Sequence, residues 1–118
     1  MKKTVMVVDD EQDIRDTVKA ILEKNGYLVV TAIDGDDCLA KLPKQKVDLV
    51  LLDIMMPGTP VKKIVPKIKS AKIAYLSVVR MSDAEKEELT KSKKILDFIE
   101  KPFSVKELVQ RVKKLIGS

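Results

Sequence analysis

Apolar positions in this chain fall into short dense runs, separated by stretches where they recur every three or four residues. "TVMVV" at 4–8 is a continuous run rich in β-branched side chains, which predicts a buried strand. From about Asp13 to Asn25, Ile14, Val18, Ile21 and Leu22 recur at helical spacing, and Gly26 follows as a helix stop. "LVVTA" at 28–32 predicts a second strand, and "DGDDCLAKL" at 34–42 a short helix ended by Pro43. The third strand, "VDLVLLD" at 47–53, is nearly all apolar, as burial on both faces of a parallel sheet demands. "VKKIVPKIK" at 61–69 predicts a weaker helix, because Pro66 removes a donor and disfavours helical geometry at Val65. "IAYLSVV" at 73–79 and "LDFI" at 96–99 predict the fourth and fifth strands. Ser82 and Glu85 have capping-box spacing and open a fourth helix to about Ser92. Ser104 and Glu107 repeat that spacing before a last helix, where Val105, Leu108, Val109, Val112, Leu115 and Ile116 form one apolar stripe.

Five such units predict a three-layer α/β/α sandwich around a parallel sheet joined by right-handed crossovers. No repeat, linker or low-complexity segment interrupts residues 1–118, which therefore read as one compact domain.

Composition narrows the chemistry. Hydrophobic residues reach 45%, enough for a core, and charged residues 35%, which predicts a solvated surface. No apolar run approaches the roughly 18 residues needed to span a bilayer, so no membrane insertion is expected. Acids arrive at Asp9 before a signal-peptide core could form, and a cytoplasmic location is the expectation. Cys38 is the single cysteine, which excludes an intramolecular disulfide and a cysteine zinc cluster. With no histidine, Ser-His-Asp and Cys-His catalysis are excluded, and the chain cannot itself carry phosphohistidine. A metal would have to sit on oxygen ligands, which favours magnesium, manganese or calcium. The net charge of +5 raises nucleic acid as a partner. Against it, the signs are interleaved, as in "SDAEKEELTKSKK", and aromatic residues make up 3%, too few for base-stacking platforms. No direct nucleic-acid partner is expected.

Polar residues gather where four strands end. Asp9 and Asp10 follow the first, Asp53 ends the third, Ser77 lies near the end of the fourth, and Lys101 follows the fifth. Ligands of open α/β sheets bind at this edge. Clustered carboxylates repel one another, and a divalent cation relieves the repulsion. Magnesium takes one or two carboxylates and keeps waters and a phosphate oxygen. Lys101 supplies a point charge and Ser77 a hydroxyl donor for a phosphoryl group, and Asp53 is the natural nucleophile. Each piece alone has a plainer reading. Two acids after a strand often just complement a helix dipole, and "KP" is usually only a loop. A strand serine is usually just satisfied, and a strand-end Asp is commonly a turn residue. Their joint order along the chain is the signal.

With "VMVVDDE" (5–11), "DLVLLDIMMPG" (48–58), "YLSVV" (75–79) and "DFIEKPF" (97–103) in place, the sequence resembles the receiver domains of two-component response regulators, including the single-domain chemotaxis type. The resemblance covers essentially the whole chain. It implies the flavodoxin-like receiver fold, strand order 2-1-3-4-5. It implies Asp53 as phosphoacceptor, with magnesium (manganese as substitute) held by Asp10, Asp53 and the Met55 backbone carbonyl, and by Asp9 through water. Lys101 would contact the phosphoryl group, Ser77 would move toward it, and Phe98 would swing inward as the aromatic switch. A cis Lys101–Pro102 bond is implied as well, and Pro57 and Gly58 would let the backbone turn so that Met55 presents its carbonyl. The donor would be a sensor histidine kinase, a phosphotransfer protein or a small acyl phosphate. The output would be a separate protein reached through the surface around the fourth strand, fourth helix and fifth strand, since no output domain follows Ser118. A fragment of a longer regulator would end the same way. Such a domain is a signalling switch, catalysing only its own phosphoryl transfer and hydrolysis.

Departures from the family pattern are few. Val78 stands where a small residue is usual after Ser77, and "TPV" at 59–61 replaces the usual Met-Asp-Gly stretch. Met55 and Val79, which flank the acceptor, are apolar. With Val78 they either hinder the water that hydrolyses an aspartyl phosphate or merely extend the core rim. Other classes fit less well. A haloacid-dehalogenase-like phosphatase wants a second Asp where Met55 stands, a P-loop protein needs a GxxxxGK[ST] that is absent, and a pseudo-receiver would lack one of Asp10, Asp53 or Lys101.

Overall fold

In the computed structural model of the chain, the described residues are 2–77, 82–89, 91 and 94–117. Strands β1 (Thr4–Val8), β2 (Leu28–Ala32), β3 (Leu49–Leu52), β4 (Lys72–Ser77) and β5 (Ile95–Glu100) alternate with helices α1 (Gln12–Lys24), α2 (Gly35–Lys41), α3 (Val61–Ile64), α4 (Asp83–Leu89) and α5 (Val105–Ile116). All neighbouring strands run parallel, in the order β2-β1-β3-β4-β5. The fold class and strand order are those the sequence and the resemblance predict.

Side-chain alternation divides the core into two layers. Met6, Val8, Val50, Leu52, Ile73 and Tyr75 face one side and pack with Cys38 of α2 and Val61 and Ile64 of α3. Val5, Val7, Leu49, Leu51, Ala74 and Leu76 face the other and pack with Val18 and Leu22 of α1 and Leu108 and Val112 of α5. This is the period-2 logic of a sheet buried on both faces. β5 departs from it. Ile73 pairs with Ile95 but Ala74 with Asp97, so Leu96 is an extra residue in the ladder. The bulge reverses the parity, putting Ile95 in one layer and Ile99 in the other. Phe98 is thereby brought to the α3 side, edge-on to Tyr75 at 6.2 Å between ring centres.

Predicted boundaries differ where short-range chemistry intervenes. β3 is shorter than residues 47–53 at both ends, spanning Leu49–Leu52. α2 and α3 each tighten into a 3-10 turn, Leu42–Lys44 and Val65–Lys67, at Pro43 and Pro66. β4 begins at Lys72 and is described to Ser77, so Val78 and Val79 lie outside the described residues. So does the predicted end of the fourth helix at Ser92, although Ser82 directly precedes α4. Ser104 caps α5 by accepting from the Glu107 backbone N–H at 3.0 Å.

Candidate functional site

The carboxyl edge of the sheet is extended by one backbone rung beyond three strands. Asp9 N–H donates to the Ala32 carbonyl at 3.1 Å, Asp53 N–H to Val8 at 3.0 Å, and Lys101 N–H to Ser77 at 3.0 Å. These rungs fix the backbone of three polar residues against the neighbouring strand. The residues after Asp53 then turn sharply, and Gly58 takes a φ of 94°, a left-handed conformation that side-chain-bearing residues rarely adopt. The Lys101–Pro102 bond is cis.

Five side chains converge there. Asp9, Asp10 and Asp53 each bring a carboxylate oxygen within 4.8 Å of the others. Asp9 and Asp53 are buried, at 1% and 4% exposure, while Asp10 opens to solvent. Asp53 Oδ1 accepts from the Met55 N–H at 3.1 Å and from the Ser77 hydroxyl at 3.0 Å. Lys101 Nζ, on a side chain only 6% exposed, lies 2.5 Å from Asp9 Oδ2 and 3.9 Å from Asp53 Oδ2. Asp9 Oδ1 accepts from the Glu11 N–H at 2.9 Å. Among the described residues no buried side-chain polar atom lacks a partner. Phe98 is half-buried on β5, three residues before Lys101, which follows that strand.

Burial pushes the Asp53 carboxyl above its ordinary value of 3.8. Lys101 and the Met55 N–H pull against that, the Asp9 charge adds to it, and the Ser77 hydroxyl opposes it. The folded domain therefore holds this proton more tightly than the unfolded chain does. That contribution to stability is complete below pH 3.8 and is lost as pH rises through the raised folded value. Once ionised, the carboxylate is a burden on the fold that the Lys101 charge offsets in part. Cys38 takes no part, since it is wholly buried and its thiol is pushed up to about 12.

Three hard oxygen donors on neighbouring backbones, two of them desolvated and mutually repelling, fit a small divalent ion better than a soft metal. Two pairings go beyond what the motifs specify. Lys101 pairs first with Asp9, whose buried carboxylate lies against the ammonium group. Ser77 already donates to Asp53, because a hydroxyl with no exposure must find an acceptor. Met55 is 70% exposed, so it does not extend the core rim. Sequence reasoning also missed Arg15, whose Nη1 donates to the Asp9 carbonyl at 2.8 Å, and the Thr59 hydroxyl, which donates to Asp36 at 3.0 Å and ties the loop after β3 to α2. Neither sits in a motif, and only their charge and hydroxyl chemistry could have drawn attention.

This fold and this edge place the chain in a known class. The family model for the response regulator receiver domain matches residues 5–113, and the chain belongs to that family, whose members are signalling switches. It is 34% identical to the alkaline phosphatase synthesis transcriptional regulatory protein PhoP of Bacillus subtilis over 98% of its own length. The chain spans 49% of that relative. Among solved structures, a CheY-like receiver domain protein of Methanospirillum hungatei is 32% identical, with a TM-score of 0.84 over 99% of this chain and 96% of that one. The response regulator TrrA of Thermotoga maritima, in complex with Mg(2+)-BeF, is 35% identical, with a TM-score of 0.80 over 96% and 98% of the two chains. No described helix is long and apolar enough to cross a membrane.

Proposed function

We propose that Asp53 is the phosphoacceptor of a two-component phosphorelay and that its phosphorylation alters the surface around β4, α4 and β5 to control another protein. The carrying observation is the convergence of Asp53 with Asp9, Asp10, Lys101 and Ser77 on one strand edge. The donor is the phosphohistidine of a sensor kinase or phosphotransfer protein, or a small acyl phosphate. An Asp53 oxygen gives its electron pair to phosphorus, and the bond from phosphorus to imidazole nitrogen or acyl oxygen breaks. The leaving group takes that pair, and the imidazole then picks up a proton from solvent.

Asp9, Asp10, Asp53 and the Met55 carbonyl would hold magnesium, or manganese in its place, which supplies charge neutralisation for the phosphoryl oxygens. Lys101 contributes a second positive charge and excludes water from the buried side of the pocket. The Ser77 hydroxyl exchanges its present acceptor, Asp53 Oδ1, for a phosphoryl oxygen, and Phe98, packed on Tyr75, follows the space so opened. The complex of TrrA with a magnesium–beryllofluoride group supports this reading by similarity. Incubation with magnesium and acetyl phosphate, followed by intact mass measurement, tests it. One phosphoryl group is expected on the wild type and none on Asp53→Asn, and equal labelling of both would refute it.

The same reading extends to the lifetime of the phosphorylated state. Exposed Met55, two residues after the acceptor, together with Val78 and Val79, hinders the attacking water. Phosphate loss from a Met55→Asn, Val79→Glu variant is expected to be about tenfold faster, a barrier change of ~1.4 kcal/mol. An unchanged half-life would remove these side chains from the account.

A further inference from the structure

The opposite edge of the sheet carries a different chemistry, roughly 16 Å away at about 3.3 Å per strand residue. Three clefts lie along it. One of about 230 Å³ is bounded by Lys2 and Lys46, one of about 310 Å³ by Lys69, Lys72 and Lys94, and one of about 170 Å³ by Lys67 and Lys69. Hydrogen bonds join the first to the second, since Asp48 accepts from the Thr4 N–H through its carboxylate and from the Lys72 N–H through its carbonyl. All six lysines are exposed. Among the described residues Asp48 is the one acid lining these clefts, and its carboxylate accepts from the Thr4 N–H at 2.8 Å. Lys72 and Lys94 also donate to the Leu115 and Ile68 carbonyls, bonds that hold the two ammonium groups in place.

Lysines near helix ends are ordinarily explained by the helix dipole. That accounts for Lys67, but Lys2, Lys46, Lys72 and Lys94 precede or open strands. The row is also flanked by apolar side chains on the two outer strands, Leu28 at 50% exposure on β2 and Leu96 at 48% on β5. Four strand spacings separate those strands, about 19 Å.

We propose that this edge is a docking surface for an anionic lipid bilayer, with the lysines on headgroup phosphates and carboxylates and the two leucines entering the headgroup boundary. Lysine is a flexible point charge, suited to headgroups that can diffuse to meet it. No aromatic ring lines these clefts to stack a base, which sets nucleic acid behind lipid. A chain docked by this edge turns the acidic notch away from the membrane and leaves Asp53 open to its donor.

Sedimentation with phosphatidylcholine vesicles, with and without phosphatidylserine, tests the proposal at low and high salt. Partitioning is expected to the phosphatidylserine vesicles only, and to fall with salt. A Lys46→Gln, Lys67→Gln, Lys69→Gln variant is expected to lose about 100-fold, and Lys46→Gln alone roughly fivefold. A variant of equal net charge altered elsewhere, at Lys19, Lys62 and Lys106, should lose only a few-fold. Leu28→Ser with Leu96→Ser should weaken binding at every salt concentration. Equal partitioning to both vesicle types, or equal loss in the charge-matched variant, would overturn the proposal. So would tighter binding of a single-stranded or duplex oligonucleotide than of vesicles at the same salt. Far-UV spectra of each variant show that the fold is retained.

Discussion

Lys101 carries the electrostatic balance of the notch. It is a buried cation shared unequally by two buried carboxylates, 2.5 Å from Asp9 and 3.9 Å from Asp53. Removing one partner of a buried ion pair leaves the other charge uncompensated and costs ~3–5 kcal/mol. Lys101→Met is therefore expected to lower urea stability by about that amount at neutral pH without divalent ions. Millimolar magnesium should recover much of the loss, because an ion that binds only the folded state adds to its stability by mass action. A variant that is as stable as wild type without magnesium would show that the carboxylates do not need this cation. The residue types at the notch were legible from the sequence because four strand ends each present one. Their pairing was not. Asp9 and Lys101 are 92 positions apart, and residue type alone cannot say whether Lys101 prefers Asp9 or Asp53.

At the scale of elements, the close approach of α2 to α3 governs how firmly the loop after β3 is held. Gly35 opens α2 against Ile64, and a Cβ there would meet Ile64 Cγ1 at 2.6 Å. Alanine normally gains about 1 kcal/mol over glycine inside a helix, whereas overpacking costs ~1–3 kcal/mol. The contact involves the γ carbon of a β-branched side chain, close to the backbone, so the steric term wins. Gly35→Ala is expected to lower the urea midpoint by the equivalent of about 1–2 kcal/mol, with no change in the slope of the transition. A raised midpoint would mean that Ile64 simply changes rotamer. Elements themselves were readable wherever one signal dominated. β1 and β2 occupy the predicted residues, since a dense β-branched run has no good alternative to a strand. The β5 bulge was hidden because Leu96 is apolar like Ile95 before it and yet 48% exposed, so residue type does not show which of the two faces the core. The two 3-10 turns follow from prolines that were visible, although proline marks a boundary without saying what replaces the helix.

For the molecule as a whole, the parallel sheet separates two kinds of charge. Every strand ends at the same edge, so the acids that follow strands collect at one pole, and lysines that precede strands collect at the other. A modest net charge of +5 conceals this segregation, which is why interleaved signs along the sequence looked like an evenly solvated surface. The same pole also explains how an apolar strand can end in Asp53. Rigid backbone rungs hold it and Lys101 offsets its charge; under the proposed function a divalent ion would add to that compensation and leave one oxygen available to phosphorus. The rate of phosphoryl incorporation from acetyl phosphate, followed by intact mass as magnesium is varied, tests that claim most directly. The predicted result is a rate that saturates with magnesium, collapses when a chelator is added, and maps to Asp53 alone. Incorporation that proceeds equally well in excess chelator, or that maps to another residue, would contradict it.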